Sequence, residues 1–441
     1  MCQPAGGDPV MYLLYDLVLL TSLLLSSPYW AAQYLLRGKY RSSLLPKLGF
    51  TPDSFFADLE GTPRVWIHAV SVGEVTAAAP IVAALRRKIP GGCLVVSTGT
   101  ETGREMASRL IPEADGLFYY PLDLPWIVRK TLDRLRPDCF ALTETELWPN
   151  LLRECRRRGV AAVMVNGRIS PRSFSRYRAT RVFWRRVLGN VAAAGVISPT
   201  DRDRLASMGM DPGKISVLGN AKFDGLAAKV SPGIRGETAA LMRVAPGDPV
   251  LVAGSTHEGE EEAVLDVYGR VLADRPDCLL ILVPRHVHRA EDVLALARRK
   301  GFDDAVAFSR LLGRGRRGER VVVVDVIGEL FKVYSLASVV FCGGSLVKRG
   351  GQNILEAAAW GKVVLYGPSM EDFQQEKALL EEAGAGRTVR DAEELYGAVR
   401  SALLSPDETR RRGEAARAAV AANGGAAERY ADLILSRLGR P

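Results

Sequence analysis

At 441 residues the chain is too long for one ordinary hydrophobic core, and its 47% hydrophobic and 25% charged content belongs to a globular protein, not a disordered one. Lys and Arg (59) outnumber Asp and Glu (50), and the net charge of +9 suits an anionic partner: a nucleotide, a phosphorylated lipid or a membrane surface. The basic residues lack the interleaved aromatics of an RNA-binding module, so nucleic acid is set aside, and Cys2, Cys93, Cys139, Cys155, Cys278 and Cys342 lack zinc-type spacing and read as reduced thiols.

Val10 to Trp30 is an apolar run interrupted by Asp16 and weakened near Ser26-Ser27-Pro28. A helix of about 20 such residues spans a bilayer core. Arg37, Lys39, Arg41 and Lys47 follow it and no Lys or Arg precedes it, which puts the rest of the chain on the cytoplasmic side of an inner membrane. A signal peptide would need a positive n-region and a small-residue cleavage site, and both are missing. The segment therefore reads as an anchor that either spans the bilayer or lies along its interface.

Strand-to-helix units then repeat. Val65–Val70 leads into Ser71-Val72-Gly73-Glu74, and Leu94–Ser97 into a small-residue turn and helix. Glu74 stands where parallel sheets bind ligands, but a first-turn acid favoured by the helix dipole would look the same. Asp138–Leu142 precedes Glu144-Thr145-Glu146-Leu147-Trp148-Pro149-Asn150, whose paired carboxylates are costly to bury without a role. Arg172–Arg186 reads as a helix with a basic face and an aromatic face, suited to an anionic amphiphile. Lys222 follows the turn Leu218-Gly219-Asn220-Ala221, and residues 225–247 read as a polar interdomain crossing.

The pattern restarts with strands at Pro249–Ala253, Cys278–Val283 and Val321–Asp325, and Gly313–Arg320 reads as an exposed basic loop. Val339–Cys342 begins the most informative stretch: a buried strand, a Gly343-Gly344-Ser345 turn, a second turn at Arg349-Gly350-Gly351-Gln352, a helix capped by Asn353, and a strand at Lys362–Tyr366. Backbone amides at such a helix start attract phosphate, and Glu356 is placed to accept from ribose hydroxyls. The fold class expected is α/β, with two Rossmann-like domains and an interdomain cleft behind an N-terminal anchor helix. The boundaries are 1–43 for the anchor and basic segment, 44–228 for the first Rossmann-like domain and 229–441 for the second.

Six motifs together carry a resemblance: His68-Ala69-Val70-Ser71-Val72-Gly73-Glu74, Glu144 to Asn150, Gly219 to Asp224, Ser255 to Glu260, Val283-Pro284-Arg285-His286, and Gly343 to Val347 with Arg349-Gly350-Gly351. In this order they resemble the Kdo transferase family, which moves 3-deoxy-D-manno-octulosonic acid (Kdo) from CMP-Kdo to the lipid A precursor, lipid IVA. The resemblance implies an inverting, metal-independent glycosyltransferase of the B fold without a cofactor. It implies Glu74 as general base, with Glu144 and Lys222 stabilising the transition state. It implies CMP binding by Pro284 and Arg285, by Ile327, Gly328 and Glu329, and by Asn353, Ile354, Leu355 and Glu356. The family usually shows Gly-Gly-His-Asn-Pro-Leu-Glu where this chain has Gly350-Gly351-Gln352-Asn353-Ile354-Leu355-Glu356, so Gln352 and Ile354 depart from it. Two other readings stand beside it: a membrane-associated UDP-sugar-dependent lipid transferase, and a non-catalytic membrane-tethered nucleotide-binding module.

Overall fold

The computed structural model describes residues 9–37 and 40–439, so Cys2 and Lys39 lie outside the described residues. The chain forms two compact units, Met1–Gly225 with Gly424–Pro441, and Leu226–Asn423. The first contains β1 (Arg64–His68), β2 (Cys93–Thr98), β3 (Gly116–Tyr119), β4 (Cys139–Thr143), β5 (Ala161–Gly167), β6 (Ala193–Val196) and β7 (Ile215–Val217), in the order β3-β2-β1-β4-β5-β6-β7. The second contains β8 (Val250–Thr256), β9 (Leu279–Pro284), β10 (Val306–Ala307), β11 (Val321–Val323), β12 (Val339–Cys342), β13 (Val363–Tyr366) and β14 (Gly386–Thr388), in the order β10-β11-β9-β8-β12-β13-β14. The ladders pair parallel, with β1 beside β2 and β4, and β8 beside β9 and β12. In each sheet the order reverses beside its first strand, which opens a crevice at the strand ends.

Strand periodicity explains the burial. Trp66 points into a cluster with Val95, Phe118 and Phe140, while Val65 and Ile67 point to the other face with Leu94, Val96 and Val163. Both faces are covered, as an all-parallel sheet requires, and the strands read as near-continuous apolar runs for that reason.

The helices that bear on the site are α1 (Pro9–Arg37), α2 (Val72–Lys88), α3 (Pro149–Arg157), α4 (Lys222–Lys229), α5 (Pro232–Met242), α6 (Glu260–Asp274), α7 (Leu355–Ala359) and α8 (Ala426–Leu435). Helix α1 runs through Pro28 and is long and apolar enough to cross a membrane. The five described cysteines are buried and free.

Several expectations need correction. The last residues belong with the first unit, not with the second domain expected over 229–441, because α8 carries an alanine-rich face and a tyrosine that fit the first sheet. Tyr430 is fully buried there, its hydroxyl donates to Gly219 O at 2.7 Å, and Lys88 reaches Asp432 at 2.9 Å. A Cβ on Gly195 would come within 2.5 Å of the Tyr430 ring, so the glycine makes room for it. The crossing at 225–247 is not a plain linker: it holds the end of α4 and all of α5. Arg172–Arg186 is broken at Thr180 into Pro171–Ala179 and Arg181–Leu188, because Phe174, Tyr177, Phe183 and Trp184 all turn to the core. Arg314 and Arg316 tie the basic loop down through Glu319 and the backbone of Met242 and Arg243.

Replacing Tyr430 by Ala leaves a large void, and the cost is roughly 3–5 kcal/mol in the first unit. Hydrogen exchange is expected to quicken in β5 and β6, while β8 and β12 keep their protection.

Candidate active site

The first unit gathers its polar side chains beyond the carboxyl ends of β1, β4 and β5. Ser71 lies at the N-cap of α2, which puts Glu74 in the first turn. Glu74 is nearly buried: Val70 N–H donates to its Oε2 at 2.8 Å and the Ser71 hydroxyl to its Oε1 at 3.0 Å. Burial, then the neighbouring Glu146 charge, pushes its carboxyl up to about 8. Glu146 is pushed up to about 7 by burial and by Glu144.

Glu144 follows β4 with φ at +57°, a left-handed conformation that costs a non-glycine residue of order 1–3 kcal/mol. Its N–H donates to Val165 O at 2.9 Å, and the adjacent Thr145 hydroxyl donates to Arg168 O. The strained turn aims Glu144 at Lys222, whose Nζ donates to Oε1 at 3.0 Å. Lys222 is itself fixed by its turn. Asn166, also left-handed at φ +51°, accepts from Ala221 N–H at 2.9 Å, and Asn220 accepts from Lys222 N–H at 3.1 Å. Asp224 accepts from Gly425 and Ala427 N–H groups and so caps α8. His68 is structural. Burial lowers it to about 3, so the ring is neutral, bound to Ser97 and stacked on Tyr120 at 3.9 Å.

The second unit is organised by Glu260, a buried acid at the start of α6. It accepts from His257 N–H at 3.0 Å, Gly344 N–H at 2.7 Å, Ser345 N–H at 3.0 Å and Leu346 N–H at 2.9 Å. One carboxylate therefore shapes the Gly343-Gly344-Ser345 turn. Nearby, a cavity of about 490 Å³ is lined by Lys229, Gly328, Phe331, Lys332 and Glu356 among others. Burial raises Glu356, and Lys229, Asn353 and Arg285 oppose that shift.

Of the residues that the resemblance implies for CMP, Gly328 and Glu356 line this cavity, and the Asn353 amide donates to Glu356 at 3.3 Å. Glu329 is engaged by Lys332 at 2.8 Å, and Ile327 is 85% exposed. Pro284 ends β9, and Arg285 N–H donates to Thr256 O at 2.9 Å. Ile354 and Leu355 are buried, and the Leu355 N–H donates to Asn353 Oδ1 at 3.1 Å. Ile354 keeps φ at −84°, near the value proline would fix, so the departure from the family leaves this turn's backbone intact. Helix α7 spans Leu355–Ala359 and is too short for a strong macrodipole, and the amides of Gly343, Gly344, Ser345, Leu346, Gly350 and Gly351 before it are already bonded within the protein.

The family model described as 3-deoxy-D-manno-octulosonic-acid transferase (kdotransferase) matches residues 42–225. The 3-deoxy-D-manno-octulosonic acid transferase of Haemophilus influenzae is 31% identical and aligns over 91% of this chain and 93% of that protein. The chain belongs to the Kdo transferase family. The transferase of the same name from Bordetella pertussis is 34% identical over 85% of this chain and 87% of its own length. UDP-GlcNAc 2-epimerase from Neisseria meningitidis shares the two-unit fold, with a TM-score of 0.59 at 15% identity over 85% of this chain and 100% of that chain. The protein is thus a glycosyltransferase.

Sequence reasoning missed two acids in this transferase. Glu146 is signalled in the sequence only as the second carboxylate of Glu144-Thr145-Glu146, and Glu260 only as the last residue of Ser255 to Glu260.

The raised Glu74 carboxyl has a sign to test. The folded chain holds that proton more tightly than the unfolded chain, so this contribution to stability is present below about pH 4.5 and lost as pH rises through about 8. Glu74→Gln is expected to melt with the native chain at acidic pH and above it at pH near 9. Thermal unfolding across pH reads the difference.

Proposed function

We propose that this transferase moves Kdo from CMP-Kdo to the lipid A precursor, lipid IVA, with inversion at the anomeric carbon and without a metal. The observation that carries the reading is the nearly buried Glu74 carboxyl beside the Glu144–Lys222 ion pair, within a Kdo transferase family member.

The acceptor hydroxyl forms the new bond to the anomeric carbon as the bond to the CMP phosphate breaks. Ionised Glu74 takes the hydroxyl proton. The phosphate oxygen of CMP keeps the bonding electrons and leaves as an anion. Lys222 offers positive charge as negative charge develops, and Glu144 offers the opposite charge to an oxocarbenium-like sugar. The second unit holds the cytidine monophosphate: Arg285 serves the phosphate, and Glu356 and Asn353 serve the ribose. Helix α1 serves as a membrane anchor at an inner membrane, with both units on the cytoplasmic side, and its row of exposed Leu13, Leu17, Leu24 and Leu25 supports that role.

The deciding experiment is mass spectrometry of the product made from purified protein, CMP-Kdo and tetra-acylated precursor. An added Kdo mass that persists in EDTA is expected. A chain that binds UDP and not CMP in calorimetry would overturn the donor assignment.

Glu74→Gln is expected to lower kcat by at least about a hundredfold while CMP binding is retained. In the native enzyme kcat/KM is expected to rise with pH towards about 8, because Glu74 must lose its proton to act. That acid limb belongs jointly to Glu74 and Glu146. Steady-state rates across pH check both statements.

A further inference from the structure

Asp16 stands in the middle of the apolar helix α1, where an unpaired carboxylate would be costly in hydrocarbon. The structure gives it a partner. Asn150 Nδ2 donates to Asp16 Oδ1 at 2.6 Å and to Asp123 O at 2.6 Å. The preceding residue does the same work from the other side. The Tyr15 hydroxyl donates to Asp123 Oδ2 at 3.0 Å, and that buried carboxylate also accepts from Asn150 N–H at 2.9 Å and Leu151 N–H at 2.8 Å. Asp123 thus satisfies two orphan amides in the first turn of α3. One turn along α3, Arg153 lies over the Tyr12 ring at 4.4 Å, and Asn190 donates to the Tyr12 hydroxyl at 3.0 Å. Tyr12 is buried, while Leu13, Leu14, Leu17 and Val18 on the same turns are exposed.

The helix that is clamped here begins directly after the loop carrying Glu144 and Glu146. Glu144 to Trp148 bridge β4 and α3 in five residues, so the start of α3 sets one end of that loop. We propose that Tyr15 and Asp16 are positioning residues for the acidic loop, and that α1 is a structural part of the acceptor-side site as well as a tether. They touch neither substrate nor reacting atoms; they act through Asp123 and Asn150. The apolar side of the same helix stays free for the membrane, so anchoring and site geometry are joined through one element. The kinetic expectation rests on the Kdo transfer proposed above, and the structural expectation does not.

Both are tested on the full chain in detergent micelles. Asp16→Ala and Tyr15→Phe are each expected to speed amide exchange at Asn150 and Leu151 by about tenfold. Ser22→Ala, on the same helix with its hydroxyl turned to Val18 O, is expected to leave that exchange unchanged. Asp16→Ala is expected to lower kcat by about tenfold with KM for CMP-Kdo within about twofold, and Asp16→Asn, which keeps an acceptor for Asn150, to restore most of the rate. Sedimentation of all four variants with phosphatidylglycerol-containing vesicles is expected to match the native chain. Unchanged exchange at Asn150 and Leu151 in both Asp16→Ala and Tyr15→Phe overturns the clamp. Altered exchange with unchanged kcat overturns the positioning role. A native chain that makes no Kdo product fails the transfer reading alone, and the exchange result still decides the clamp.

Discussion

Three carboxylates and one ammonium group are held beyond the ends of β1, β4 and β5, close enough to feel one another's charge. Lys222 pairs with Glu144 directly, while burial, reinforced by the neighbouring carboxylates, raises the proton affinity of Glu74 and Glu146. The rest of the first unit serves that constraint. The left-handed backbone at Glu144 and Asn166 sets the two turns, and the turn after β7 presents Lys222 while its Asp224 secures α8. A carboxyl with so raised a proton affinity is a poor anion at rest and a good proton acceptor once ionised, which is what a base working near neutrality needs.

The second unit solves a different problem with a different economy. Its glycine turn is held by directing four backbone amides inward onto a single acid, Glu260. Because that carboxylate is buried and well supplied with donors, the Gly343-Gly344-Ser345 turn is held from beneath. The cavity beside Gly328 and Glu356 then carries lysines on its rim, a mixture suited to a phosphate next to hydroxyl groups.

Much of this was legible in the residues. Buried parallel strands announce themselves as apolar runs, and β12 was read to the residue. Short edge strands such as β3, β7, β10 and β14 were not seen, because two to four residues with mixed exposure carry no period. Glu74, Glu144 and Lys222, drawn from three separate motifs, lie in one group. The partners of Asp16 were invisible, since a contact to Asn150 across 134 positions leaves no local trace. The strain at Glu144 was invisible too: nothing in a Glu signals positive φ as a glycine would. The path of the last helix leaves no local trace either, because its alanine stripe fits any flat sheet face, and the contacts that select this one, Gly195 under Tyr430, the Asp224 cap and Lys88 on Asp432, are distant in sequence.

That returning helix has a bearing on how the polypeptide is made. The core on one face of the first sheet is completed by Ala426, Ala427, Tyr430, Ala431 and Ile434. These residues leave the ribosome after the whole of Leu226–Asn423. The later-encoded unit can therefore finish folding before the earlier one does, the reverse of the usual order of vectorial synthesis. Until residues 426–435 emerge, the nascent first sheet keeps an apolar face uncovered, and it is during that interval that the chain has most need of a chaperone.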